Sequence, residues 1–228
     1  MSQASRQIAT ARNVRIQSGE ITIVGDLELP VGAQAVVLFA HGSGSSRYSP
    51  RDQVVAKTIR DAGLGTLRFN LLTREEEELD SRTRHLRSDI GLLARRLIDA
   101  TSWLKGELDH LRVGYFGAST GAAATLVAAA QFGTIVGAVV SGGGRPDLAA
   151  DSLRLVKAPT LLIVGSLDHP VLELNREAYA QLNCEKEIAI VTDATHLFEE
   201  RGALRQVAAL AADWFQTHLL AEKHSETN

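Results

Sequence analysis

The sequence predicts an α/β fold: a mostly parallel, eight-stranded sheet with helices on both faces. Three observations lead to this prediction. Two short apolar segments flank a Ser-Gly-Glu turn near the N-terminus, an uninterrupted apolar run follows at residues 35–40, and strand-like and helix-like segments then alternate to the end of the chain. A hairpin followed by repeated strand–helix pairs is typical of a sheet covered by helices on both sides. We expect one domain over residues 1–220 and a polar tail at 221–228.

The first elements are predicted from turn residues and hydrophobic pattern. Segments 14–16 and 21–24 form the antiparallel hairpin, which continues through 26–29 and stops at Pro30. Residues 35–40 (Ala-Val-Val-Leu-Phe-Ala) are apolar at every position. This pattern is typical of a strand buried on both faces.

The later elements alternate in type. The expected strands are 65–71, 111–116, 135–140, 160–164 and 187–191, and the expected helices are 51–62, 81–104, 119–131, 171–181 and 203–220. The helix at 81–104 follows from apolar residues at helical spacing, which are Leu86, Ile90, Leu93, Leu97 and Ile98. Four glutamates at 75–78 are expected in a solvated loop or at a helix start.

The composition excludes several classes of function. Apolar residues make up 45% and charged residues 22% of the chain, as in ordinary globular domains. The net charge of -3 offers no positive excess to neutralise phosphates, so nucleic acid is not an expected partner. The chain shows neither an apolar run of the roughly 20 residues that span a bilayer nor the apolar core of a signal peptide. We therefore expect a cytoplasmic protein without a membrane partner, and a homodimer stays open.

Residues 117–121 (Gly-Ala-Ser-Thr-Gly) stand where a predicted buried strand meets a predicted helix. A Gly-x-Ser-x-Gly pattern in this setting is typical of a nucleophile elbow, a tight turn that strains the serine backbone and leaves no room for neighbouring side chains. Ser119 is therefore the candidate nucleophile. The alternative is a helix start that Ser119 merely caps.

A serine nucleophile needs a base and a group that orients the base. Asp168 follows a buried strand and His196 follows the next one, so both are expected at the same edge of the sheet as Ser119. Asp193 is the alternative acid. His169, next to Asp168, is expected to be a loop residue near the site, and His196 could still be only structural.

Two backbone N–H groups are expected to bind the oxyanion. One belongs to Thr120, and the other belongs to the loop after residues 35–40, where Ser43 is favoured. Gly42 and Gly44 would let this loop approach the substrate. The alternative is that the loop at 41–46 is a flexible turn without a functional role. His41 is expected to be structural, with its ring bonded within the loops.

No metal or cofactor is expected. Cys184 is the only cysteine, which excludes a cysteine cluster and an intramolecular disulfide. No two histidines have ligand spacing on one helix. The glycines at 142–144 follow a strand but match no dinucleotide or phosphate-loop pattern.

The chain resembles small α/β-hydrolases of the dienelactone-hydrolase-like group over residues 36–215. Four segments carry the resemblance: 41–47 (His-Gly-Ser-Gly-Ser-Ser-Arg), 117–121, 165–168 (Gly-Ser-Leu-Asp) and 194–198 (Ala-Thr-His-Leu-Phe). The resemblance implies a three-layer α/β-hydrolase fold, metal-free hydrolysis, and Ser119, Asp168 and His196 as the triad. Relatives also occur joined to a phosphoribosyltransferase domain, which does not fit within 228 residues.

Two departures shape the expected function. Dienelactone hydrolases proper use a cysteine nucleophile, whereas this elbow carries a serine, which favours general esters over dienelactone. Only residues 141–158 separate the strands that enclose a helical cap in many relatives, so we expect no cap and a shallow, open site. Arg47 and Arg145 are candidates for binding an anionic substrate. The expected function is a carboxylesterase acting on small or exposed esters, and the alternatives are a lactonase, an acyltransferase or a non-catalytic binding module.

Overall fold

The computed structural model describes residues 7–42 and 44–220, so Ser43 and the predicted tail at 221–228 lie outside the described residues. Within the described chain the strands are β1 (Ile8–Ser18), β2 (Ile21–Pro30), β3 (Ala35–Ala40), β4 (Gly65–Phe69), β5 (Arg112–Ala118), β6 (Val136–Gly142), β7 (Thr160–Gly165) and β8 (Lys186–Val191). The α-helices are α1 (Pro50–Asp61), α2 (Arg74–Thr83), α3 (Ile90–Glu107), α4 (Thr120–Phe132), α5 (His169–Gln181) and α6 (Ala203–Leu220).

The strands form one eight-stranded sheet in the order β1-β2-β4-β3-β5-β6-β7-β8. The β1–β2 and β2–β4 pairs are antiparallel, and all further neighbours are parallel. The predicted fold class is therefore confirmed. Because the parallel strands end at one edge of the sheet, the loops after β3, β5, β7 and β8 converge there.

Helices cover both faces of the sheet, and β3 shows why its sequence is apolar throughout. Val36 and Leu38 face the core beneath α3 and α4, whereas Val37 and Phe39 face the core beneath α1 and α6. All four side chains are at most 2% exposed. Each face of the strand therefore contributes to a separate core.

The prediction of one helix over residues 81–104 is wrong. Helix α2 ends at Thr83, and the C-cap residue Arg84 has a left-handed φ of 58°. Helix α3 begins only after Asp89, which caps it. The Asp80 carboxylate accepts the N–H groups of Leu86 and Arg87 between the two helices. Leu86 fits the apolar spacing of a single helix because it packs against the same core as α3, although it lies in the connecting turn. The four glutamates lie in the first turns of α2, in agreement with the expected helix start.

The segment between β6 and β7 contains only a 3₁₀ stretch, Pro146–Leu155. The prediction that no full cap is inserted there is confirmed. No helix in residues 7–42 and 44–220 has the length and apolar character required to cross a bilayer.

Candidate active site

Ser119 occupies a strained turn between β5 and α4. Its φ is 49° and its ψ is -122°, a region that side-chain-bearing residues rarely adopt. A Cβ at Gly117 would lie 2.5 Å from the Cα of Ala122, and one at Gly121 would lie 2.1 Å from the carbonyl oxygen of Ala40. Glycine is therefore required at both positions. The Ser119 side chain makes no capping hydrogen bond, so the view that it merely caps α4 is wrong.

Asp168 and His196 meet at the carboxyl edge of the sheet. His196 Nδ1 lies 2.7 Å from Asp168 Oδ2, and the two side chains are 36% and 14% exposed. The loops that carry them pack closely, since a Cβ at Gly165 would lie 2.2 Å from the carbonyl oxygen of Ala194. In the neutral tautomer that donates Nδ1–H to Asp168, Nε2 is left as an acceptor.

Asp193, the alternative acid, and His169 are both exposed. Asp193 is exposed, and its N–H donates to the Ser166 hydroxyl at 2.8 Å. His169 is exposed as the first residue of α5. The geometry therefore favours Asp168 over Asp193 as the partner of His196.

Ser119 and His196 line one small pocket of about 270 Å³. Gly42 lies against the serine, because a Cβ at this position would be only 3.0 Å from Ser119 Cβ. The backbone of the β3–α1 loop therefore approaches the Ser119 side chain. Thr120 is the first residue of α4 and lines the neighbouring cleft. The N–H donor roles of Thr120 and Ser43 stay predictions, and Ser43 lies outside the described residues.

The buried His41 side chain holds the β3–α1 loop through hydrogen bonds. Its Nε2 accepts the N–H of Leu71 at 3.0 Å, and its Nδ1 lies 3.1 Å from the carbonyl oxygen of Gly42. Burial lowers the pKa of His41, which favours the neutral ring with its proton on Nδ1. The expectation that this histidine bonds within the loops is confirmed.

Arg47 and Arg145 are engaged elsewhere. Arg47 pairs with Asp26 at 3.3 Å and stacks on the Tyr48 ring. Arg145 forms a fork with the Asp147 carboxylate at 2.9 and 2.8 Å. Neither arginine lines the Ser119 pocket or the cleft beside it. The geometry gives no support to their predicted role in binding substrate, although the backbone N–H of Arg145 does donate to the Ser119 carbonyl at 3.0 Å.

A larger cleft of about 1210 Å³ adjoins the pocket. Its walls come from the β3–α1 loop, α1, α2, the loop before α6 and the start of α6, and they include Gly44, Val54, Glu77 and Leu204. The partly exposed His196 agrees with an open site, and the expected shallowness stays a prediction. The walls of the cleft come from α2 and neighbouring loops instead of a cap after β6.

Sequence reasoning missed Asp52, which lines the same pocket as Ser119 and is only 6% exposed. The position of Asp52 relative to the apolar residues of α1 could have identified it. Asp52 lies three, four and seven residues before Val55, Ala56 and Ile59, which form the buried face of α1. A carboxyl on that stripe is expected to face the interior. Among the described residues, no group of three His, Cys, Asp or Glu side chains is placed to hold a metal ion.

The fold and the site together define an α/β-hydrolase, with a serine at the β5–α4 elbow, an acid after β7 and a histidine after β8. The family model for dienelactone hydrolases matches residues 27–221, and the chain belongs to the dienelactone hydrolase family.

Solved structures and curated proteins include similar chains. A dienelactone hydrolase from Anabaena variabilis is 57% identical, with a TM-score of 0.90, over 92% of this chain and 98% of that one. An esterase from Pyrococcus furiosus has a TM-score of 0.76 at 16% identity over 92% and 93% of the two chains, which shows the fold alone. A Mycobacterium tuberculosis H37Rv protein, provisionally named a phosphoribosyl transferase, is 55% identical over 208 residues, or 90% of this chain. The chain spans only 46% of that relative's length.

Proposed function

We propose that this chain is a serine hydrolase that cleaves carboxylic esters of small molecules through an acyl-enzyme at Ser119. One observation carries the proposal. Ser119, whose backbone is strained, lines the same pocket as His196. His196 Nδ1 lies 2.7 Å from Asp168 Oδ2. A histidine oriented in this way activates a serine hydroxyl that comes within its hydrogen-bond reach.

The proposed reaction has two steps. Ser119 Oγ attacks the ester carbonyl while its proton passes to His196 Nε2, and Asp168 stabilises the imidazolium through Nδ1–H. The oxyanion accepts hydrogen bonds from the N–H groups of Thr120 and Ser43. The tetrahedral intermediate collapses, and the leaving alcohol takes the proton from His196. Water then attacks the acyl-enzyme while it gives a proton to His196. When the second intermediate collapses, the acid is released and His196 returns this proton to Ser119 Oγ, which regenerates both residues.

Replacing Ser119 tests the proposal. We expect Ser119→Ala to lower kcat for p-nitrophenyl acetate by at least about 1000-fold, because no other group replaces the nucleophile. Ser102→Ala is a matched control, since Ser102 is exposed on α3, and its turnover should equal that of the unchanged protein. Equal turnover by the Ser119→Ala variant would sink the assignment.

Lactone hydrolysis is a second candidate, and one observation favours it. The relative from Anabaena variabilis that is 57% identical is named a dienelactone hydrolase. A lactone is a cyclic ester, so the same steps would open it. Comparing kcat/KM for a dienelactone and for linear p-nitrophenyl esters decides between these substrates. Acyl transfer is tested in the same assay, since added alcohols would then divert the acyl group into new esters.

The name of the mycobacterial relative does not favour phosphoribosyl transfer by this chain. The match covers 46% of that longer protein, and it is the part that resembles an α/β-hydrolase. We therefore assign hydrolysis to this chain. The alternative of a non-catalytic binding module predicts that no ester is turned over and that Ser119 does not react with a fluorophosphonate.

A further inference from the structure

Asp52 carries a carboxyl group that the proposed reaction does not use. It lies in the first turn of α1, is 6% exposed, and lines the 270 Å³ pocket together with Ser119 and His196. The position in the first turn of a helix offsets part of the cost of burying a negative charge. It does not explain why a carboxyl group faces this pocket.

The Asp52 carboxyl has no partner among the described residues. Its oxygens accept no hydrogen bond from them, and no described Lys, Arg or His nitrogen comes within 4.0 Å. The positive charges that act on it are those of Arg51 on the same helix and Arg68 on β4, and His196 faces the pocket from the β8–α6 loop. Arg68 is engaged with the Arg47 carbonyl oxygen at 3.1 Å and with Glu28 at 3.6 Å.

The pKa of Asp52 reflects the cost of burying its negative charge. Burial raises the pKa of Asp52 from 3.8 to about 6, and the charges of Arg51 and Arg68 offset only part of that effect. The carboxyl group opens onto the pocket and has no described donor, so a bound group that donates a hydrogen bond can take the place of water there.

We propose that Asp52 forms a subsite that accepts a hydrogen bond from a hydroxyl group of the ester, next to the reacting carbonyl. The inference rests on the proposed ester hydrolysis. A neutral hydroxyl fits better than an ammonium group, because Arg51 and Arg68 oppose a further positive charge. The pocket holds a short chain of a few carbon atoms, so the substrate class is a small hydroxy ester.

Matched esters test the subsite without depending on the absolute rate. Ethyl 3-hydroxybutyrate is compared with ethyl 3-methylbutyrate, which replaces the hydroxyl by a methyl group on the acyl side. In the second arm, 2-hydroxyethyl butyrate is compared with propyl butyrate, which makes the same change on the alcohol side. We expect kcat/KM to favour the hydroxyl ester by about tenfold in one arm, which also tells which side of the ester enters the pocket.

Variants of Asp52 should change the ratio of kcat/KM between the hydroxyl ester and its methyl counterpart. Asp52→Leu should lower this ratio to about one or below. Asp52→Asn keeps an acceptor but cannot ionise, so the ratio should become independent of pH. In the unchanged protein the ratio should rise between pH 5 and 7, as Asp52 ionises, because dividing the two rates removes every pH effect that the two esters share. Asp61→Asn makes the same change on α1 outside both pockets and should leave the ratio unaltered.

The possible failures are distinguishable. Labelling of Ser119 by a fluorophosphonate shows that each variant has a folded site. If the unchanged protein hydrolyses esters but ratios are near one in both arms, or if Asp52→Leu keeps the preference, the subsite is overturned and the proposed function stands. If the unchanged protein neither hydrolyses any of these esters nor labels, the proposed function fails as well.

Discussion

At Ser119 the backbone holds a conformation that costs of order 1–3 kcal/mol for a residue with a side chain. Hydrogen bonds to its carbonyl oxygen from the N–H groups of Ala122 and Arg145, at 3.2 and 3.0 Å, fix this turn. A Cβ at Gly42 on the facing loop would lie only 3.0 Å from Ser119 Cβ, so this turn leaves little space there. The reactivity proposed for Ser119 thus depends on residues that carry no reactive group.

Gly42→Ala tests that dependence. The added Cβ would lie 3.0 Å from Ser119 Cβ and 3.2 Å from the Ala118 carbonyl oxygen, so either the serine or the loop must shift. We expect kcat/KM for p-nitrophenyl acetate to fall about 10- to 100-fold, because small misplacements of reacting groups are costly. Gly106→Ala is the control, since a Cβ there meets nothing within 4 Å. Undiminished activity in Gly42→Ala would show that the loop does not set the serine's position.

Asp52 gives a prediction about stability. Its pKa is about 6 in the folded protein and near 3.8 when unfolded, so the folded state binds the proton more tightly. Ionisation of Asp52 therefore destabilises the folded state. This effect is absent well below pH 3.8, grows as the pH rises to about 6 and stays constant at higher pH. Asp52→Asn should therefore raise the free energy of unfolding by about 2 kcal/mol at pH 8 and by much less at pH 4. Urea unfolding at both pH values measures this, and an equal effect at both would contradict it.

At the residue scale the sequence predicted the pairing of Asp168 with His196, because the order of strands dictates which loops meet. It did not predict that Arg47 and Arg145 bind Asp26 and Asp147. Ion pairs between side chains depend on the final packing of loops, which leaves no periodic signal in the sequence.

At the scale of elements, α2 forms a wall of the cleft but buries little apolar surface. Asp80 is its only buried residue. Its first turn is held by Glu76, whose carboxylate accepts the N–H of Thr73 at 2.8 Å and pairs with Arg96 at 2.7 Å. Arg96 is 8% exposed and also donates to the Ser18 hydroxyl. Polar contacts therefore attach this wall to the body of the protein.

Glu76→Ala should lower the free energy of unfolding by about 3 kcal/mol, because it removes the capping contact and leaves the buried Arg96 without its carboxylate. Glu78→Ala is the control on the same helix, since Glu78 is exposed and pairs only with Arg74. Its effect should stay within about 0.5 kcal/mol. Equal effects of the two changes in urea unfolding would mean that Glu76 does not anchor α2.

Elements set by local pattern were predicted most closely. The predicted bounds of β3 and α6 agree with the structure, because an unbroken buried run and an amphipathic helix each carry their own signal. The separation of α2 from α3 escaped prediction, since it depends on the left-handed Arg84 and on the carboxylate of Asp80 between the helices. The cleft escaped prediction for the same reason, because α2 forms one of its walls.

At the scale of the whole molecule, the two cores fix the position of the site. Helices α1 and α6 pack on one face of the sheet and α3 and α4 on the other, so the ends of β3, β5, β7 and β8 are held at one edge. Ser119, Asp168 and His196 are far apart in sequence but come together there. The central claim is that this convergence makes Ser119 a nucleophile.

Labelling with a fluorophosphonate, read by intact mass and peptide mapping, tests this claim most directly. We expect a single adduct on Ser119, its absence in Ser119→Ala, and much slower labelling in His196→Ala, which lacks the base. An unreactive Ser119 in the folded protein, or the same adduct persisting in Ser119→Ala, would contradict the account.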